Sequence, residues 1–424
     1  MGSAADRERQ PIGGSPVIHV LLPFAAAYFL SYFYRSVNAV IAPDLARDLA
    51  LSAASLGLLT SAYFLAFAAF QLPLGLLLDR FGPRRTDAAL LVVAALGALV
   101  FAWGRALPPL IVGRALIGLG VSGCLMSGIK ANVMWFPLSR LGSMNGWMFF
   151  AGGLGMIAAT VPVEAALELA DWRVLFVILA LLTLAAAAVI FFFVPERGDT
   201  IAPEPLPAQL DSLRRIFVDR GFWQIAVVAT ILQSTNMAVQ GLWAGPWLRD
   251  VAGLAREAVA FYLLVMACAT TFGFLFWGHF AARLARRGVP IFSVFVGGMG
   301  VFLVFQLLVT IGVANGALLW WVGYGFFGTA GSLSYAILPR RFPASAAGRV
   351  NTALNSMVFA WAFVVQWGIG AVISLWPATV TGYHPHAYRA GFGLFLAVQA
   401  VAWAWTVIVT RRVASSDPAP PERV

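Results

Sequence analysis

Apolar residues in this chain run in long blocks separated by short polar breaks. Twelve blocks fall near 17–42, 53–78, 86–104, 108–132, 142–167, 173–194, 222–247, 257–281, 290–312, 317–338, 349–376 and 388–410. A helix needs about 20 such residues to cross the bilayer core. Lipid offers the backbone no hydrogen-bond partners, so a spanning segment must satisfy its own. The pattern predicts an all-α membrane protein with twelve transmembrane helices. Most connections are short. The exception is 195–221, PERGDTIAPEPLPAQLDSLRRIFVDRG, rich in proline and charge. It divides the chain into two six-helix halves, 17–194 and 222–410, with tails at 1–16 and 411–424. Within it Leu210, Leu213, Ile216 and Phe217 share a helical face beside Arg214 and Arg215. That predicts a short helix lying on the membrane surface.

Composition agrees. The chain has 424 residues, 61% hydrophobic and 11% charged, against about 25% charged in soluble domains. The net charge of +10 is scattered through short loops, so it does not point to nucleic acid. Cys124 and Cys268 lie inside apolar blocks and imply no disulfide framework. The four histidines, His19, His279, His384 and His386, form no metal-ligand pattern. No cofactor and no catalytic group is expected, and no Ser-His-Asp or nucleotide motif stands in the loops. With the N-terminus inside, 19 of the 28 basic residues are cytoplasmic, six are outside and three lie within spans. Cytoplasmic loops carry the excess of Lys and Arg, so both termini are expected in the cytoplasm of an inner or plasma membrane.

The halves repeat each other. Gly75 to Arg84 lines up with Gly278 to Arg287 at an offset of 203, matching Arg80 to Arg283 and Arg84 to Arg287, while Asp79 becomes Ala282. FPLSRLGSMN, from Phe136, lines up with FPASAAGRVN, from Phe342, at an offset of 206. Two separate matches at nearly one offset make a parallel repeat of six-helix halves.

Between the second and third blocks stands GLLLDRFGPRR, Gly75 to Arg85. Gly82-Pro83 makes a turn, and Gly75 is expected to let two helices approach closely. This stretch closely resembles the signature of the major facilitator superfamily at that place. The resemblance covers residues 17–410. It implies two six-helix halves, a substrate site between them at mid-membrane, and alternating access. It also implies that Asp79, Arg80 and Arg84 belong to an inner gate. In that role Asp79 would sit at a neighbouring helix N-terminus or pair with an arginine. GRALIGLG resembles a second signature of the superfamily, which gives Arg114 a structural or coupling role. Gly118 and Gly120 there allow close packing.

Three cations lie within spans. Arg35, in YFLSYFYRSVNAVIAPDL, is too deep to snorkel and should face a polar cavity. At helical spacing it shares a stripe with Tyr28, Ser31 or Tyr32, and Asn38. The alternative is an arginine buried for packing or paired with Asp44. The region resembles the organophosphate:phosphate exchangers, where an arginine at the matching place in the first helix binds phosphate. Lys130, the only lysine, either adds a second positive charge to the cavity or reaches the cytoplasmic interface near Pro137. Two cations without a central acid would favour an anionic substrate.

The same exchangers carry a second arginine in the seventh helix, and here that position falls on Met237. Gln233, Asn236 and Gln240 offer three amides on one face instead. Amides cannot neutralise a dianion, so a small organic anion fits better than a sugar phosphate. Tyr324, Gly328, Gly331 and Tyr335 share a face of the tenth helix, as a stacking wall or as packing.

No carboxylate sits in the middle of a span. Glu164, late in the fifth, is the candidate proton site; the alternative is an interfacial acid paired with Arg173. The antiporter signature of drug exporters is not matched, since FFAGGLGMIAATVP places its proline at Pro162 after Val161. The expected function is uptake of a small organic anion by a secondary transporter, with a proton or by exchange, acting as a monomer in lipid. Proton-coupled export of drug-like or siderophore-like compounds is the alternative. The candidate binding set is Arg35, Lys130, Tyr32, Asn38, Asn236, Gln240 and Tyr335.

Overall fold

The computed structural model describes residues 16–196, 206–343, 346–377 and 382–416. Among them nine helices are long and apolar enough to span a membrane. Ala53–Trp103 is two spans in one, because Gly82 leaves the helical conformation at φ 74° and ψ 169°. A bent pair supplies another span, and a segmented one runs through residues 317–341. The twelve expected spans are thereby accounted for.

The first, α1, comprises Val17–Leu21, Leu22–Ser36 and Asn38–Asp48; α2 and α3 are the limbs of Ala53–Trp103 before and after Gly82. Next come α4 (Leu107–Val121 and Cys124–Trp135), α5 (Leu138–Ala158 and Val161–Leu169) and α6 (Trp172–Phe193). The second set is α7 (Arg220–Ala238, Val239–Trp243 and Ala244–Asp250), α8 (Arg256–Ala285) and α9 (Ile291–Ile311). It is completed by α10 (Ala317–Gly328, Thr329–Leu333, Ser334–Ile337 and Leu338–Arg341), α11 (Ala347–Ile373) and α12 (Pro385–Ser416). The linker helix forms over Leu206–Val218. Its Ile216 is buried while Phe217 stays half-exposed; the side chain of Leu210 lies outside the described residues.

Two compact units emerge. The first is 1–51 with 58–203; the second is 52–57 with 204–424. In the first, α1 packs on the opening limb of α5. Glycines set the distance: a Cβ on Gly155 would strike the Phe29 carbonyl, and one on Gly152 would come within 2.8 Å of the Tyr28 ring and 2.9 Å of the Tyr32 ring. Gly118 and Gly120 serve as expected, against the backbones of Tyr63 and Ala94. Gly75 does not. A Cβ there would meet nothing within 4 Å, so the close approach belongs to α4 rather than to the signature glycine.

In the second unit, Asp250 ends α7 as a buried acceptor. It takes hydrogen bonds from Tyr388 Oη at 2.7 Å and Tyr383 N–H at 3.0 Å, and pairs with Arg249 at 2.6 Å. α10 departs most from its expected single run. Its glycines yield 3₁₀ turns where α7 presses in: Gly328 lies against the amide of Asn236 and Gly331 against Gln233.

Candidate functional site

In the first unit, Arg114 of α4 and Arg35 of α1 live in different surroundings. Arg114 is fully buried. Its Nη1 donates to the Tyr34 carbonyl at 3.2 Å and its Nη2 to Asn38 Oδ1. Its guanidinium lies 4.4 Å from the Phe101 ring centre and 5.0 Å from that of Phe176. Tyr34 Oη is bonded in turn to Thr183 Oγ1 at 3.0 Å. A charge desolvated this far must be matched by acceptors and aromatic faces. Arg114 thus ties α1, α3, α4 and α6 together. Asn38, expected on the stripe with Arg35, is taken up by this clamp.

Arg35 is only partly buried. It stands in the last turn before α1 breaks at Val37. Its guanidinium lies over the Tyr32 ring at 3.7 Å. Tyr28 packs edge-on to Tyr32 at 5.0 Å, and the hydroxyls of Tyr28 and Tyr63 add to the surroundings. Tyr63 Oη donates to the Ser31 carbonyl at 3.4 Å. Asp44, weighed as its partner, pairs with Arg47 at 2.8 Å. The glycines of FFAGGLG, at Gly152 and Gly155, make room for this tyrosine-rich face of α1.

Lys130 is engaged within the first unit. Its ammonium bonds Asp79 Oδ1 at 2.6 Å and the Leu78 carbonyl at 2.7 Å. The pair holds Lys130 against the Gly75–Arg85 stretch. The partner of Asp79 is a lysine of α4 rather than an arginine, because the signature arginines turn elsewhere. Arg80 lies over Phe81 at 5.2 Å. Arg84 donates to the Phe191 carbonyl at 2.7 Å, and Arg85 pairs with Glu196 at 2.7 Å.

Glu164 is buried in the first turn of Val161–Leu169, just past a 41° bend in α5. Arg173 is drawn to Asp48 and Asp171, each at 3.6 Å. A second buried acid escaped the sequence reading. Asp87, two residues beyond Arg85, is 0% exposed.

In the second unit each predicted amide of α7 has a side-chain or backbone partner. Asn236 Nδ2 donates to the Tyr324 carbonyl at 3.3 Å, Gln240 Nε2 to Thr270 Oγ1 at 3.3 Å, and Gln233 Nε2 to Ser334 Oγ at 3.1 Å. Gln240 stands in the π-helical turn Val239–Trp243, an irregularity frequent at functional sites. Tyr335 Oη donates to Asn355 Oδ1 at 3.0 Å. Tyr324 is wholly buried and donates to the Thr235 carbonyl, which makes it packing rather than a stacking wall.

The profile of the Major Facilitator Superfamily matches residues 24–366. The chain belongs to that superfamily. Among curated proteins it is 23% identical over 339 residues to the probable sulfoacetate transporter SauU of Cupriavidus necator, covering 76% of this chain and 72% of the relative. It is 32% identical over 191 residues to a hexuronate transporter of Bacillus subtilis, covering 44% of each, so the chain spans less than half of that relative's length. Among solved structures it resembles a bacterial homologue of the human lysosomal transporter Spinster, with a TM-score of 0.75 at 17% identity over 96% of this chain and 100% of the other. A D-xylose–proton symporter gives a TM-score of 0.73 at 15% identity over 92% and 97%. These likenesses establish the fold of a membrane transporter of this superfamily, not an enzyme.

Proposed function

We propose that this protein takes up a small organic anion across an inner or plasma membrane by alternating access, with both termini in the cytoplasm, and that it works as a monomer driven by a proton. The observation that carries the reading is the contrast between the two arginines. Arg114 is enclosed by protein. Arg35 remains partly exposed and is framed by Tyr28, Tyr32 and Tyr63. A guanidinium gives a carboxylate or sulfonate a forked pair of hydrogen bonds, and phenol hydroxyls supply further donors. Relatives named for sulfoacetate and hexuronate support an anionic substrate. Lys130 pairs with Asp79, so the reading rests on Arg35.

The test is a thermal-shift screen of the purified protein against organic acids, sugars, amino acids and drug-like cations, since a ligand raises the melting temperature by mass action. Organic acids should stabilise it. A charged hydrogen bond is worth about 1.5–3 kcal/mol, so Arg35→Gln should weaken binding roughly tenfold or more. Arg35→Lys should lose less, because it keeps the charge without the fork. If only neutral or cationic compounds bind, or if Arg35→Gln binds the acid as tightly as wild type, the reading is wrong.

A further inference from the structure

α4 is not one continuous helix. Its ladder tightens where Ser122 N–H reaches the Leu119 carbonyl at 3.2 Å, and it resumes where Ser127 N–H meets the Gly123 carbonyl at 2.8 Å. Gln71 on α2 braces the break by donating to the Ser122 carbonyl at 3.3 Å. The limb Cys124–Trp135 starts there, with no side chain capping its first turn.

Asp87 is aimed at this break. A Cβ on Gly123 would stand 3.1 Å from Asp87 Oδ1 and 2.7 Å from Leu90 Cδ1. The fully buried Ser127 Oγ and the Cys124 thiol, both on the facing limb, are the groups that reach the Asp87 carboxyl. Around them lie Leu74, Leu78 and Leu90, with Met126 packed against that cluster. The facing titratable group of the limb is Cys124, a buried free thiol. Lys130, further along the limb, is held by Asp79 and the Leu78 carbonyl. Arg84 and Arg85, on the same side of Gly82 as Asp87, turn to Phe191 and Glu196. No counter-charge among these reaches Asp87.

Two forces act on such a carboxyl. An apolar site that offers only a neutral hydroxyl and a thiol favours the neutral acid. An uncapped helix start favours the anion. The balance changes when water enters. We propose that Asp87 is a proton-binding site governed by the docking of the limb Cys124–Trp135 on α2 and α3. This rests on the proton-driven reading above and gives it a different residue from Glu164. Docked, the limb encloses Asp87 as the neutral acid. When it separates, water reaches the carboxyl, the O–H bond breaks, the proton leaves to that water, and the carboxylate remains; redocking requires the proton back. Acid therefore favours the docked limb. The Lys130–Asp79 pair spans the same interface as an ionic latch.

Cys124 gives a readout that needs no substrate, so the result stands whether or not uptake proves proton-driven. In full-length protein carrying Cys268→Ser, the extent of N-ethylmaleimide labelling is measured from about pH 5 to about pH 8. Labelling of denatured protein at each pH removes the intrinsic chemistry of the thiol. The infrared carbonyl stretch of a protonated carboxylic acid is followed over the same range. The parent should label at least threefold more at the alkaline end, roughly the response of a single titrating group, as the acid band fades. Asp87→Asn, an isosteric mimic of the neutral acid, should stay at the parent's acidic level and lack the band. If Asp87→Asn follows the parent across pH, or keeps the same infrared change, the proposal is overturned. Ser127→Ala checks that a merely loosened site is not being read: it should keep the band, and losing it would also count against Asp87.

Discussion

Lys130 Nζ sits 2.6 Å from Asp79 Oδ1, joining the lower limb of α4 to the signature loop. Their side chains are 32% and 51% exposed, so solvent screens the attraction and the stability at stake is below about 1 kcal/mol. Conformational balance is another matter, because the pair must open if the limb is to move. Asp79→Asn and Lys130→Gln should each leave the melting temperature within a few degrees of wild type while strongly reducing transport in vesicles. The double variant should transport no worse than the poorer single one, since each removes the same contact. Fully additive losses would mean that the two residues act separately.

Arg114 should behave as structure. Arg114→Lys cannot reach both the Tyr34 carbonyl and Asn38, and Asn38→Ala leaves a buried charge short of an acceptor. A charged hydrogen bond contributes about 1.5–3 kcal/mol, and each kcal/mol moves the melting point of a large domain by about 2–4 °C. Both variants should melt roughly 5 °C lower, and the double variant should lose less than the sum. Affinity for a stabilising acid should be kept at low temperature. An unchanged melting point with lost affinity would make Arg114 a ligand contact instead.

The glycines separate by geometry rather than by motif. Gly118→Ala drives a methyl into the Tyr63 backbone, which cannot swing aside as a side chain does. It should destabilise by about 1–3 kcal/mol and lower the folded yield in detergent. Gly75→Ala meets open space and should fall within about 0.5 kcal/mol of wild type. Equal melting points for the two variants would contradict the packing described for α4.

Much of this was legible beforehand, for reasons that can be named. Spans announce themselves through length and apolarity, and the turn at Gly82 through its charges and Pro83. For Arg114 the resemblance of GRALIGLG to the second signature implied only a structural or coupling role, and its acceptors on α1 could not be read from it. Lys130 was not legible either. Its role depends on which face of α4 meets α2, and periodicity inside an almost wholly apolar helix carries too little contrast to fix that. The same poverty hid the interior placement of Tyr324 and the 3₁₀ turns of α10, which arise from side chains of α7 pressing on glycines. Asp87 was missed because nothing in the residues around it marks the packing of α3 on the lower limb of α4, which is what buries it.

The clamp on Arg114 also bears on how the protein is made. Chains emerge from the N-terminus at about 5–20 residues per second. When Arg114 reaches the membrane, Tyr34, Asn38 and Phe101 already exist, but Phe176 lies 62 residues further on. The guanidinium then spends about 3–12 seconds without its last aromatic wall. Arg114 stands in the second turn of Leu107–Trp135, so its insertion costs less than the roughly 2.5–3.5 kcal/mol of an arginine at a helix centre. The acceptors that lower this cost belong to an earlier span, so the order of the chain has them waiting when the charge arrives.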